Sequence, residues 1–107
     1  MDTINEKSTA IVTASFFNED DVAISPTQAW YSLYCETSAT ELKAETELTG
    51  LGTTKDIEIT PTENQIQVAA NSSEIKVLTV RFTYGAGGLK QGTGQYRYAV
   101  TNLQRIT

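Results

Sequence analysis

Hydrophobic and polar residues alternate along most of this chain with a period of two, the mark of strands with one buried face. Over residues 8–17, Ala10, Val12, Ala14 and Phe16 share one face, and Ile11 and Phe17 populate the other. Over residues 28–36, Ala29, Tyr31, Leu33 and Cys35 alternate with Trp30, Ser32 and Tyr34. Large residues on both sides predict a central strand, or one whose outer face is covered. From Thr40 to Leu48, Leu42, Ala44, Thr46 and Leu48 alternate with Glu41, Lys43, Glu45 and Glu47. Four charges on one side predict a solvated edge strand protected against strand addition. The same residue types favour helix, but helical spacing leaves them no continuous apolar stripe.

Shorter alternations follow at Ile57 and Ile59 and at Ile66, Val68 and Ala70. The last third reads as strand, reversal and strand. Leu78, Val80, Phe82 and Tyr84 precede a stretch, residues 85–94, with five glycines in ten residues; Tyr96, Tyr98 and Val100 resume the pattern. Ile75 and Val77 have the opposite parity to Leu78 onward, which predicts a bulge or a loop-packed Ile75. Turn-forming residues at 18–21, 25–27, 50–52, 61–64 and 71–73 separate these runs. The pattern predicts an all-β fold, an immunoglobulin-like β-sandwich of about seven antiparallel strands. It lacks the Cys…Trp…Cys signature of antibody domains. Residues 8–107 form one domain, and residues 1–7 a polar, flexible arm.

At 107 residues the chain can bury a core without metals or disulfides. One cysteine, Cys35, permits no intrachain disulfide and is expected as a small buried hydrophobe. The first residues lack the basic-then-apolar order of a signal peptide, so synthesis in a cytoplasm is expected. No apolar run reaches membrane-spanning length, so no membrane partner is expected. A net charge of −5 argues against nucleic acid as a partner. Its distribution is uneven. Residues 1–63 hold twelve acids and three bases, whereas residues 64–107 hold one acid and five bases. Either the two halves face each other within the fold, or the basic half docks on an acidic neighbour.

Catalytic chemistry finds few parts. With no histidine, Ser-His-Asp and Cys-His sites are excluded. No carboxylate stands in an apolar context that would raise its pKa for glycoside hydrolysis. The chain is therefore expected to be no enzyme, with no cofactor and no metal. The glycine-rich stretch invites a phosphate-loop reading, but such a loop must lead into a helix N-terminus and here a strand pattern follows. The acidic run 18–21 lacks the ordered spacing and glycine of an EF-hand. What remains is contact chemistry. Trp30 and Tyr34 point away from the core by parity, and Leu89, Lys90, Gln91 and Arg97 lie on or beside the glycine-rich reversal. These six are the candidate partner-binding residues.

The segments AWYSLY (29–34) after Ser25-Pro26, VLTVRFTY (77–84) and YRYAVTNL (96–103) resemble those of small immunoglobulin-like virion proteins of tailed bacteriophages. The similarity spans most of residues 8–103. It implies a structural protein present in many copies, on the capsid surface or at the portal and neck, with other virion proteins as partners. The alternative is a β-sandwich module of a tail fibre or adhesin that binds carbohydrate or a host surface.

Overall fold

The computed structural model describes residues 2–68 and 70–103. The strands are β1 (Asp2–Asn5), β2 (Ala10–Ser15), β3 (Gln28–Cys35), β4 (Thr40–Leu48), β5 (Thr54–Ile59), β6 (Ser73–Tyr84) and β7 (Lys90–Thr101). A 3₁₀ turn, Ala86–Gly88, joins the last two. The fold is all-β and has two sheets. The larger has the order β1-β7-β6-β3-β4, and the smaller pairs β2 with β5. Their facing sides enclose Phe16, Ala29, Leu33, Leu48, Ile57, Ile59, Leu78, Phe82, Tyr98 and Val100. The alternation over 10–16 and 29–35 thus points inward as the sequence predicts.

Four expectations are corrected. The arm expected at residues 1–7 contains strand β1, which pairs with β7 in parallel, so the strands are not all antiparallel. Ile4 packs on the core there, and Glu6 accepts a bond from Leu103 N–H at 3.0 Å that fastens the end of the pairing. The strand expected at Ile66, Val68 and Ala70 does not form among the described residues. Its N–H groups go elsewhere: the Glu74 carboxylate accepts from Gln67 N–H at 2.6 Å and Val68 N–H at 2.9 Å. Neither the bulge nor the loop-packed Ile75 expected there forms, since Ile75 lies within β6, which keeps continuous register with both β3 and β7. The inward positions that lack apolar residues hold Glu74 and Lys76 instead, both fully buried. Finally, the reversal is shorter than the ten residues suggest. β7 begins at Lys90, so Gly92 and Gly94 lie within it.

The strand β3 lies between β6 and β4, and β4 is the sheet edge, as their patterns imply. The alternation of β4 is imperfect, because register shifts opposite Leu33 bring Lys43 to the inner side. There its ammonium stands 5.9 Å from the Tyr31 ring centroid, while Ala44 and Thr46 are exposed.

Unequal strand length shapes the molecule. β6 and β7 have twelve residues each, against six each for β2 and β5. The molecule is accordingly elongated, 51 × 22 × 21 Å. Loops extend the cover at both ends of the small sheet. At one end Phe16 meets Phe82 edge-on at 5.1 Å between centroids, and Thr27 N–H reaches Thr83 C=O. At the other, Tyr98 O–H donates to Asn64 Oδ1 at 2.8 Å, and the Asn64 amide donates to Ser8 C=O at 2.7 Å.

Candidate functional site

The larger sheet has two faces, and the smaller sheet covers only one. Cross-strand register sets what the bare face displays. Trp30 lies beside Arg81, which lies beside Thr93; Ser32 beside Thr79 and Gln95; Tyr34 beside Val77 and Arg97; Gln28 beside Thr83 and Gln91. Four of the six candidate residues, Trp30, Tyr34, Gln91 and Arg97, therefore share this face. The other two do not. Leu89 sits at the hairpin tip, 89% exposed, and Lys90 turns toward the acidic turn, where it meets Glu19 at 2.8 Å.

The bare face is held in order by its own contacts. The Arg81 guanidinium lies 4.0 Å from the centroid of Trp30 and grips Glu45 with two nitrogens, at 2.6 and 3.1 Å. Glu45 holds the guanidinium above its ordinary pKa and is itself held below the usual carboxylate range. Arg97 meets Glu36 at 3.2 Å. Thr79 and Gln95 are joined by a hydrogen bond. Tyr34 remains 42% exposed. The result is a surface of hydroxyl, amide, aromatic and paired charged groups.

These pairs also resolve the charge asymmetry. Each base described in residues 64–103 is partnered within the chain: Lys90 by Glu19, Arg97 by Glu36, Arg81 by Glu45, and Lys76 by Glu74 at 3.8 Å. Three of these four pairs join the basic half to acids of residues 1–63, so the halves face each other there inside the fold. Lys90 and Arg97, candidates for docking on an acidic neighbour, already have acidic partners.

The buried Glu74–Lys76 pair escaped the sequence reading, because charged residues are almost never fully buried unless paired. Desolvation pushes the Glu74 carboxyl up, but bonds from Gln67 N–H, Val68 N–H and Asn71, with the Lys76 charge, outweigh it and leave the group below its ordinary value. Burial lowers the Lys76 ammonium, opposed in part by Cys35 and Glu74. Its Nζ donates to Gln65 C=O at 2.7 Å. Cys35, fully buried, places Sγ 3.7 Å from Glu74 Oε1. Tyr98, buried beside them, has its hydroxyl pKa raised by desolvation and by Glu63. This cluster is buried and hydrogen-bonded, and it anchors Gln65, Gln67, Val68 and Asn71 to β6.

A cleft opens on the covered side of the large sheet, between β2 and the β6–β7 hairpin. It has a volume of about 500 Å³ and an apolar floor that includes Leu78, Val80, Phe82 and Tyr96. No group of three or more acidic or cysteine side chains placed to hold a metal ion occurs among the described residues. No helix among them is long and apolar enough to cross a membrane. Comparison with protein families, with curated proteins and with solved structures finds no match.

Proposed function

We propose that this chain is a virion structural protein of a tailed bacteriophage, an immunoglobulin-like module present in many copies that docks other capsid, portal or neck proteins through the bare face of its five-stranded sheet. The strand order supports the immunoglobulin-like fold. β7, β6, β3 and β4 lie side by side as G, F, C and C′ do in variable-type domains, and β2 faces them paired with β5 as B does with E.

The bare face carries the proposal: Trp30, Tyr34, Gln91 and Arg97 stand together on a surface that no strand among the described residues covers. Aromatic and arginine side chains at the centre of a polar field are the composition of a protein interface. The pairs Arg81–Glu45 and Arg97–Glu36 fix these side chains before binding, which reduces the ordering cost of association. A glycan-binding face is less well supported, because a sugar stacks on a free aromatic face and Arg81 already occupies the Trp30 ring.

The test is incorporation into particles. Wild-type protein is expected by mass spectrometry in purified virions. A Tyr34→Glu, Arg97→Glu variant, which sets new negative charge beside Glu36, is expected to drop out of particles while its melting temperature stays within a few degrees of wild type. Absence of the wild-type protein from purified virions overturns the virion reading. Normal incorporation of the variant overturns the face.

A further inference from the structure

Among the described residues the smaller sheet has two strands, so β2 has one paired edge and one free edge. Phe16 N–H bonds Thr53 C=O at 3.0 Å, in line with the pairing of Ala14 to Lys55, Val12 to Ile57 and Ala10 to Ile59. By the alternation of an antiparallel ladder, Ile11, Thr13 and Ser15 then aim their N–H and C=O groups away from β5. Among the described residues no backbone bond reaches them.

Beside this edge runs open space. The 500 Å³ cleft borders residues 12–15 of β2, and a second cavity of about 340 Å³ borders Ala10, Ile11 and Val12. Both are lined by Val12 and Tyr96, so they follow one another along the whole strand. The floor is the inner side of β7 and β6, and glycine leaves it low. A Cβ on Gly94 would meet nothing within 4 Å. At the Ser15 end stand Glu19 and Asp21, with Asp20 beside them. Lys90 offsets one of these three charges. In immunoglobulin-like sandwiches, strand A occupies the place next to B; here the corresponding place beside β2 is open.

We propose that this groove accepts an extended segment of a partner protein, which adds a strand to the free edge of β2. Its backbone would bond Ile11, Thr13 and Ser15. Alternate apolar side chains would point down onto Val80, Gly94 and Tyr96, as strand addition requires. A lysine or arginine at one end would face Glu19 and Asp21. The acidic rim disfavours a second copy of this chain, whose net charge is −5. The groove lies on the opposite side of the large sheet from the bare face, and its use does not depend on the docking proposed for that face.

The probe is a short fluorescent peptide in which valine and threonine alternate and two lysines close one end. Wild-type protein is expected to bind it saturably by anisotropy. Replacement of the two lysines by glutamates is expected to weaken binding about fivefold or more at low salt. Gly94→Leu fills the floor where space is open. Thr13→Pro removes an edge N–H at a position where an edge strand tolerates proline. Each variant is expected to weaken binding at least about tenfold while retaining the wild-type melting temperature. Bound peptide is also expected to slow amide exchange at Ile11, Thr13 and Ser15. Absence of saturable binding, unchanged binding by either folded variant, or binding without that protection overturns strand addition. Concentration-dependent dimerisation of the wild type that Gly94→Leu abolishes overturns the partner in favour of a second copy.

Discussion

Glu74 illustrates what a single residue can do to its surroundings. Fully buried, it collects three donors from the 67–71 segment and stands 3.8 Å from Lys76. Glu74→Gln would turn an amide donor toward backbone N–H groups and leave the Lys76 charge buried without its counter-ion, at a cost of about 3 to 5 kcal/mol; urea denaturation at neutral pH measures it. The pH dependence has a definite sign. The folded value lies below the ordinary 4.5. The carboxylate therefore contributes stability that is fully present above the ordinary value and is lost as pH falls through the folded one. The gap between wild type and Glu74→Gln should stay constant down to about pH 4 and narrow below it, and a gap that does not narrow as the pH is taken further down would refute the assignment. Two glycines of β7 give a sharper contrast. A Cβ on Gly92 would collide with the Phe82 ring, and Phe82 is wedged against Phe16. Gly92→Ala should cost about 1 to 3 kcal/mol by overpacking. Gly94→Ala, with open space, should be neutral or stabilise by up to about 1 kcal/mol. Thermal melts of the two variants side by side check both.

At the scale of elements, β2 and β3 were legible in the sequence because in each the apolar alternation marks the side that faces the core, whereas β4 was legible as a strand but its orientation was blurred by the register shifts opposite Leu33. The outward direction of Trp30 and Tyr34 followed from the same parity. That Gln91 and Arg97 share their face depends on the register of β7 against β6 and β3, which no local pattern encodes. β1 was missed because Asp2, Thr3 and Asn5 surround a single apolar residue, Ile4. Its ladder forms because β7 presents an unpaired edge, not because the segment favours strand. Ile4→Ala should therefore lower stability by about 1 to 2 kcal/mol, less than a fully buried position would lose, where a free arm would show no change. The 65–70 segment misled for the reverse reason. Its alternation is strand-like, but a carboxylate supplied by β6 captured the N–H groups that a ladder needs.

For the whole molecule, the two sheets differ in what holds them. β6 is paired with β7 along its twelve residues and with β3 from Lys76 to Thr83, whereas β2 and β5 pair, among the described residues, only with each other over the core beneath. An isolated two-stranded ribbon is marginal in water. The small sheet should thus open locally before the large one, and native-state amide exchange should show Val12 and Ala14 exchanging faster than Leu78 and Val80; equal protection of all four would mean that the sheets open as one unit. The cleft was illegible in the sequence because it arises from a difference in strand number between the layers, which leaves the place beside β2 open, a property of the assembly of elements. The parallel pairing of β1 with β7 has a mechanical consequence. Tension applied at the start of β1 and the end of β7 pulls two parallel neighbours in opposite senses along a common axis. Their hydrogen bonds are then loaded together in shear and cannot break singly, as they would if the strands were peeled from one end. Short as it is, β1 acts as a clasp under load, and the rest of the fold feels a stretching force only after that clasp has slipped.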